Sequence, residues 1–172
     1  VRRKMKLLKN SICAFLDVLG YTSMSLSESK QESILSSFIE IINESINQVE
    51  SDIKYRNSHD GKKDKIKYRL FSDNLFIHMD LDEIDPFDIS FLIEIIANYQ
   101  LKLSAKGFVL RGGITVGKCH FGDNFIFGPG LIESYRLENK VAIYPRVLID
   151  RRVIDLMERP SLINEKTKNH EY

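Results

Sequence analysis

Residues 13–22 read CAFLDVLGYT. The segment is an apolar run with one acid, Asp17, in its middle and a glycine three positions later. Residues 11–19 have the character of a strand buried in the middle of a sheet, with a Gly-Tyr-Thr-Ser exit. An unpaired, ionised carboxylate on such a strand costs several kcal/mol, so Asp17 needs a cation, a hydrogen-bond network or a place at the strand's wet end. Taken alone, it reads equally as a structural acid capping the next turn.

A second acid answers it. Residues 66–79, IKYRLFSDNLFIHM, form two strands folded about Ser72-Asp73-Asn74. Those three residues are good turn chemistry by themselves. Two carboxylates at the ends of adjacent central strands can share a pair of hard divalent cations, which take oxygen ligands and bridge phosphates. The loop after Asp17, with Gly20, Tyr21 and Thr22, would offer backbone N–H groups to a polyphosphate in the same place.

Around these strands a helix is expected from Ser27 or Ser29, with Ile34, Leu35, Phe38, Ile39, Ile42, Ile46 and Val49 on one face. The stretch 55–65 reads as a charged connector. Asp85-Pro86 caps a second helix that ends near Gly107. Residues 108–128 form a hairpin turning at Gly122-Asp123-Asn124, and Gly128-Pro129-Gly130 opens a short helix. A strand at 146–150, another helix and a polar tail follow. This order implies an α+β fold, ferredoxin-like, with a central, mainly antiparallel sheet and helices packed on one face. One domain over residues 1–172 is expected, its core at about 11–157.

Bulk properties exclude several classes. Among 172 residues, 25 basic and 24 acidic side chains leave a net charge of +1. There is no global field to attract nucleic acid or an anionic membrane. Two cysteines are too few for a secreted disulfide scaffold, and no apolar stretch reaches the ~20 residues of a membrane span. A cytoplasmic protein without nucleic-acid or membrane partners is expected. Cys119-His120 lacks partners at zinc spacing, His78 is expected to pack or to face solvent, and residues 107–130 lack a P-loop pattern.

Four segments then resemble one family, in the same order. Phe15-Leu16-Asp17-Val18-Leu19-Gly20-Tyr21-Thr22 matches the F-x-D-[IV]-x-G-[FY]-T strand of the class III nucleotidyl cyclases. Phe71-Ser72-Asp73-Asn74-Leu75 resembles the hairpin bearing their second metal-binding aspartate. LRGGITVGKCHFG (110–122) is similar to their RxGIxxG strand, and GPGLIESYRLE (128–138) to their GxxVNxAxRLE segment. The wording AFLDVLGY and GP.L.E.YRLE looks closest to the bacterial pyrimidine cyclases of the Pycsar antiphage systems.

The resemblance implies a nucleoside triphosphate cyclase with two Mg²⁺ or Mn²⁺ ions, held by Asp17, Asp73 and the backbone carbonyl of Val18. One ion lowers the pKa of the ribose 3′-hydroxyl, and the other neutralises the triphosphate and the pyrophosphate leaving group. Gly20, Tyr21 and Thr22 cradle phosphate. Arg136 falls on the transition-state arginine, although the residues alone also allow a surface arginine paired with Glu133 or Asn139. The acids and the arginine come from opposite subunits in this family, which implies a head-to-tail homodimer. Base reading falls to Arg69, four residues before Asp73, and a residue near Phe125. A donor-only guanidinium favours uracil's two carbonyls, hence UTP, with CTP and ATP as alternatives. The product would be cyclic UMP, a second messenger in phage defence. One position departs: the family's transition-state asparagine is Ile132 here, which cannot donate a hydrogen bond. That motivates a rival reading, a catalytically weak or inactive relative that senses nucleotide or dimerises.

Overall fold

A computed structural model describes residues 7–20, 31–59 and 65–159. At its centre lies β1 (Lys9–Leu19), buried from Ser11 to Leu16 and again at Val18. It is flanked by β3 (Asn74–Asp80) and β4 (Val109–Phe121), both antiparallel to it. β2 (Ile66–Phe71) forms the far edge beside β3. β5 (Ile126–Phe127) pairs with the end of β4, and β6 (Val147–Ile149) runs parallel to it. The sheet is thus mainly antiparallel, as expected, with order β2-β3-β1-β4-β5 and β6 attached to β4.

Alternation along β1 sorts its side chains between two cores. Ile12, Ala14, Leu16 and Val18 meet helix α1 (Gln31–His59) and helix α2 (Pro86–Ala105) in the larger core, joined by Val153 and Leu156 of helix α4 (Arg151–Glu158). On α1 the buried stripe is Phe38, Ile41, Ile42, Val49 and Ile53, whereas Ile39 is exposed. The helix continues through the stretch read as a connector as far as His59, and the expected start at Ser27 or Ser29 lies outside the described residues. α2 begins as the sequence indicates, with Asp85 and Asp88 forming a reciprocal capping box and Pro86 at its first turn.

The expected helices on one face are α1 and α2. The opposite face carries a smaller core of Cys13, Phe15, Phe76 and Cys119. It is covered by the short helix α3 (Pro129–Arg136), which passes without a break into a π-helical turn, Leu137–Val141. Glycines on β4 permit that close packing. A Cβ on Gly113 would lie 2.5 Å from Leu137 Cβ and 2.7 Å from the Ser134 carbonyl oxygen, and Gly117 lies directly under Gly130. Asp17 follows Phe15 in the alternation, so it projects from this second face.

Candidate active site

β1 ends at Asp17-Val18-Leu19, and Gly20 follows with φ 93°, a left-handed conformation that glycine adopts without steric cost. Beside it, β2 turns into β3 through Ser72-Asp73. Ser72 has φ 58°, uncommon for a residue with a Cβ. The Val18 N–H donates to the Asp73 carbonyl oxygen at 3.3 Å, tying the hairpin turn to the end of β1. As a result the Asp17 and Asp73 carboxyl groups come close enough for the charge of Asp73 to act on Asp17. The two acids that the sequence set 56 positions apart are brought together, and Val18 stands next to both. Tyr21 and Thr22 lie outside the described residues.

The electrostatics mark Asp17 as a frustrated carboxylate. Burial pushes its pKa from 3.8 up to about 6, reinforced by the negative charges of Glu138 and Asp73 and only partly offset by Arg111. Asp73 is supported by its neighbour, Asn74 Nδ2 donating to its Oδ1 at 3.2 Å.

Sequence reading gave no role to Arg111 or Glu138. Register places Arg111 of β4 opposite Asp17. Its Nη2 donates to Asp17 Oδ2 at 3.4 Å, while its Nε donates to Glu138 Oε1 at 2.5 Å. Glu138 is only 2% exposed, and burial raises its pKa above the usual carboxylate value despite Arg111. The signal was present in the letters, since Arg111 opens the RGGI segment and Glu138 closes YRLE, but it becomes an ion pair only through strand register and the π turn.

Arg136 stands elsewhere. At the end of α3 it makes a two-armed pair with Glu133, at 3.0 and 2.8 Å, with its side chain about half exposed. Among the described residues no hydrogen bond or ion pair joins it to Asp17 or Asp73. Ile132, on the same helix, is 66% exposed. Tyr135, Ile143 and Tyr144 add further exposed apolar surface close by in the chain.

Arg69 is held by the β4–β5 hairpin. Its Nη2 donates to the carbonyl oxygens of Gly122 and Asp123 at 2.9 and 2.7 Å, and the guanidinium lies over the Phe121 ring, 5.3 Å from its centroid. Phe125, at the tip of that hairpin, is exposed and stacks on Phe127. The two positions expected to read the base therefore share one end of the sheet.

Among the described residues no three His, Cys, Asp or Glu side chains gather closely enough to hold a metal by themselves. What converges is a pair of carboxylates, hard oxygen donors of the kind that suit Mg²⁺ or Mn²⁺ and leave coordination positions for phosphate oxygens. A cation beside Asp17 would offset the burial and like charge that hold its carboxyl up. The residues present fit a divalent ion.

This fold is that of the guanylyl cyclase catalytic domains. The chain superposes on the guanylate cyclase domain of RhGC from Catenaria anguillulae, in complex with GTP, with a TM-score of 0.62 and 13% identity, covering 88% of this chain and 83% of that one. A non-canonical dimeric guanylyl cyclase domain of the RhoGC fusion protein from Blastocladiella emersonii gives 0.61 at 11% identity, covering 88% and 84%. The catalytic core of a rhodopsin-guanylyl cyclase with converted specificity, in complex with ATPαS, gives 0.60 at 12% identity, covering 88% and 83%. No protein-family profile and no curated protein matches the chain. The likeness therefore lies in the fold, with little of it in the sequence.

Proposed function

We propose that the protein is a nucleotide cyclase that converts a pyrimidine nucleoside triphosphate, UTP in preference, to the 3′,5′-cyclic nucleotide and pyrophosphate. The observation that carries this reading is the convergence of Asp17 and Asp73 at adjacent strand ends, on a fold shared with domains that bind GTP and ATPαS. Two divalent ions, when bound, would acidify the ribose 3′-hydroxyl and neutralise charge on the triphosphate and the leaving pyrophosphate. The 3′ oxygen bonds to the α-phosphorus, the bond to the bridging oxygen of the β-phosphate breaks, and the hydroxyl proton leaves to solvent.

Each residue has a part. Asp17 and Asp73 supply carboxylate oxygens and Val18 a carbonyl oxygen. Gly20, Tyr21 and Thr22 hold phosphate. Arg136 stabilises charge on the transferring phosphoryl group of a neighbouring subunit, using an always-charged forked donor. Its outward position, the absence among the described residues of any bond to its own chain's Asp17 or Asp73, and the exposed Ile132, Tyr135 and Tyr144 nearby support a head-to-tail homodimer with two equivalent sites. Arg69 reads the base with its Nε and Nη1, since Nη2 is taken by the hairpin carbonyls. We place the enzyme in the cytoplasm as a source of cyclic UMP in phage defence, on its resemblance to the Pycsar cyclases.

A second reading, a non-catalytic relative that binds nucleotide or dimerises, is favoured by Ile132 alone. Losing one transition-state donor typically costs about 3 kcal/mol, which slows an enzyme without abolishing turnover. Incubation with each of the four NTPs and Mn²⁺, with products identified by mass, separates the two. A cyclic UMP peak that disappears in Asp73→Ala supports cyclisation, whereas nucleotide binding without turnover supports the rival. Arg69→Ala should change the UTP/CTP product ratio more than the total rate. An unchanged ratio would remove Arg69 from base selection.

A further inference from the structure

Nothing in the proposed chemistry uses Arg111 or Glu138, yet the fold goes to some length to bring them together. The helix on the second face does not stop at Arg136 but widens into a π turn, a rare geometry that inserts residues into a helical path and recurs at functional sites. Gly113 lets this turn press onto β4, with the Glu138 N–H only 3.1 Å from where a Cβ would stand. Glu138 is thereby buried to 2% exposure, with Arg111 as its hydrogen-bond partner. The same guanidinium reaches Asp17 Oδ2 with its other arm.

We infer that Arg111, anchored by Glu138, is a positioning residue that serves as the resident counter-cation of the Asp17–Asp73 pair and competes with the divalent ion for Asp17. The inference rests on the acid pair being the ion site of the proposed cyclase. A guanidinium touching a ligand oxygen repels an incoming cation, and Glu138 limits that repulsion by drawing the positive charge toward itself. The two members of one ion pair therefore act in opposite directions on cation affinity. A merely structural salt bridge would act the same way when broken from either side.

The test is Mn²⁺ binding to the full chain without nucleotide, followed by electron paramagnetic resonance of the free ion. Arg111→Gln should tighten Mn²⁺ binding, and Glu138→Gln should weaken it, each by roughly tenfold at low salt. The double variant Arg111→Gln/Glu138→Gln removes one charge of each sign and should return to within about threefold of the parent. Arg111→Lys, which keeps the charge, should not tighten binding. Shifts of the two single variants in the same direction, no shift in either, or tightening by Arg111→Lys would overturn the inference while leaving the ion site intact. A parent protein that binds no Mn²⁺ would instead overturn the acid-pair reading and this inference with it.

Discussion

Two carboxylate pairs in this molecule look alike in composition and differ in what they have left to give. At the start of α2, Asp88 is fully buried and both of its carboxylate oxygens are engaged. It takes hydrogen bonds from Arg56 Nε at 2.7 Å, Lys65 Nζ at 3.1 Å and the Asp85 N–H at 2.9 Å. Asp85 returns a bond from the Asp88 N–H at 3.0 Å. At the end of β1, Asp17 accepts among the described residues one long bond, from Arg111, and has a second acid in front of it. The first cluster stitches α1, β2 and α2 together. The second is unsaturated among the described residues, as the proposed ion site requires, whereas the first is a structural network of the same residue types.

Breaking the saturated cluster should have the largest effect on stability. Asp88→Ala removes the buried carboxylate to which both Arg56 and Lys65 donate, and unfolding in urea should show a loss of about 3–5 kcal/mol. Gly113→Ala should cost less, about 1–3 kcal/mol, by forcing a methyl group against Leu137 and the Ser134 carbonyl. Because that packing delivers Glu138, the same variant should also alter Mn²⁺ affinity, which a silent packing defect would not do.

His78 sharpens the comparison from another side, as a buried group that among the described residues has one hydrogen-bond partner, Ser11 Oγ at 2.8 Å, and none at Nδ1. Burial lowers its pKa from 6.5 to about 4, with Lys67, Lys9 and His120 acting in the same direction and Asp80 opposing. Between those values the unfolded chain binds the proton that the folded one refuses. His78 therefore weakens the fold as pH drops from 6.5 toward 4. Chemical denaturation across that range should show a shallower slope in His78→Gln. The smallest stability effect belongs to the unsaturated cluster itself. Asp17→Asn removes like-charge repulsion and should leave unfolding free energy within about 0.5 kcal/mol or raise it, even as the proposed cyclase activity is lost. A cost comparable to that of Asp88→Ala would make Asp17 a structural acid too.

Much of this was legible in the chain. An acid inside CAFLDVLGYT and another in the turn Ser72-Asp73-Asn74 are local signals, because strand burial and turn chemistry are written in neighbouring residues. Asp85-Pro86 likewise announced its helix. Other features depend on distant partners. The pairing of Arg111 with Glu138 needs β1–β4 register and a π turn that no local propensity encodes. Ile39 fits a helical stripe by spacing, yet it is exposed because the stripe's centre lies at Ile41, Ile42 and Ser45. Arg69 reads as a free strand arginine until the Gly122-Asp123 carbonyls fold back onto it. Placement of α3 on the second face follows from Gly113 and Gly117, whose meaning emerges only once a helix lies above them.

The central claim is that Asp17 and Asp73 jointly hold a cation against a triphosphate. Crystals grown with Mn²⁺ and a non-cyclisable UTP analogue, measured at a wavelength where manganese scatters anomalously, address it directly. The account predicts anomalous density bridging the two carboxylates and the triphosphate, at roughly 2.0–2.3 Å from the ligand oxygens. Density elsewhere, or side chains of Asp17 and Asp73 turned apart with no ion between them, would contradict it.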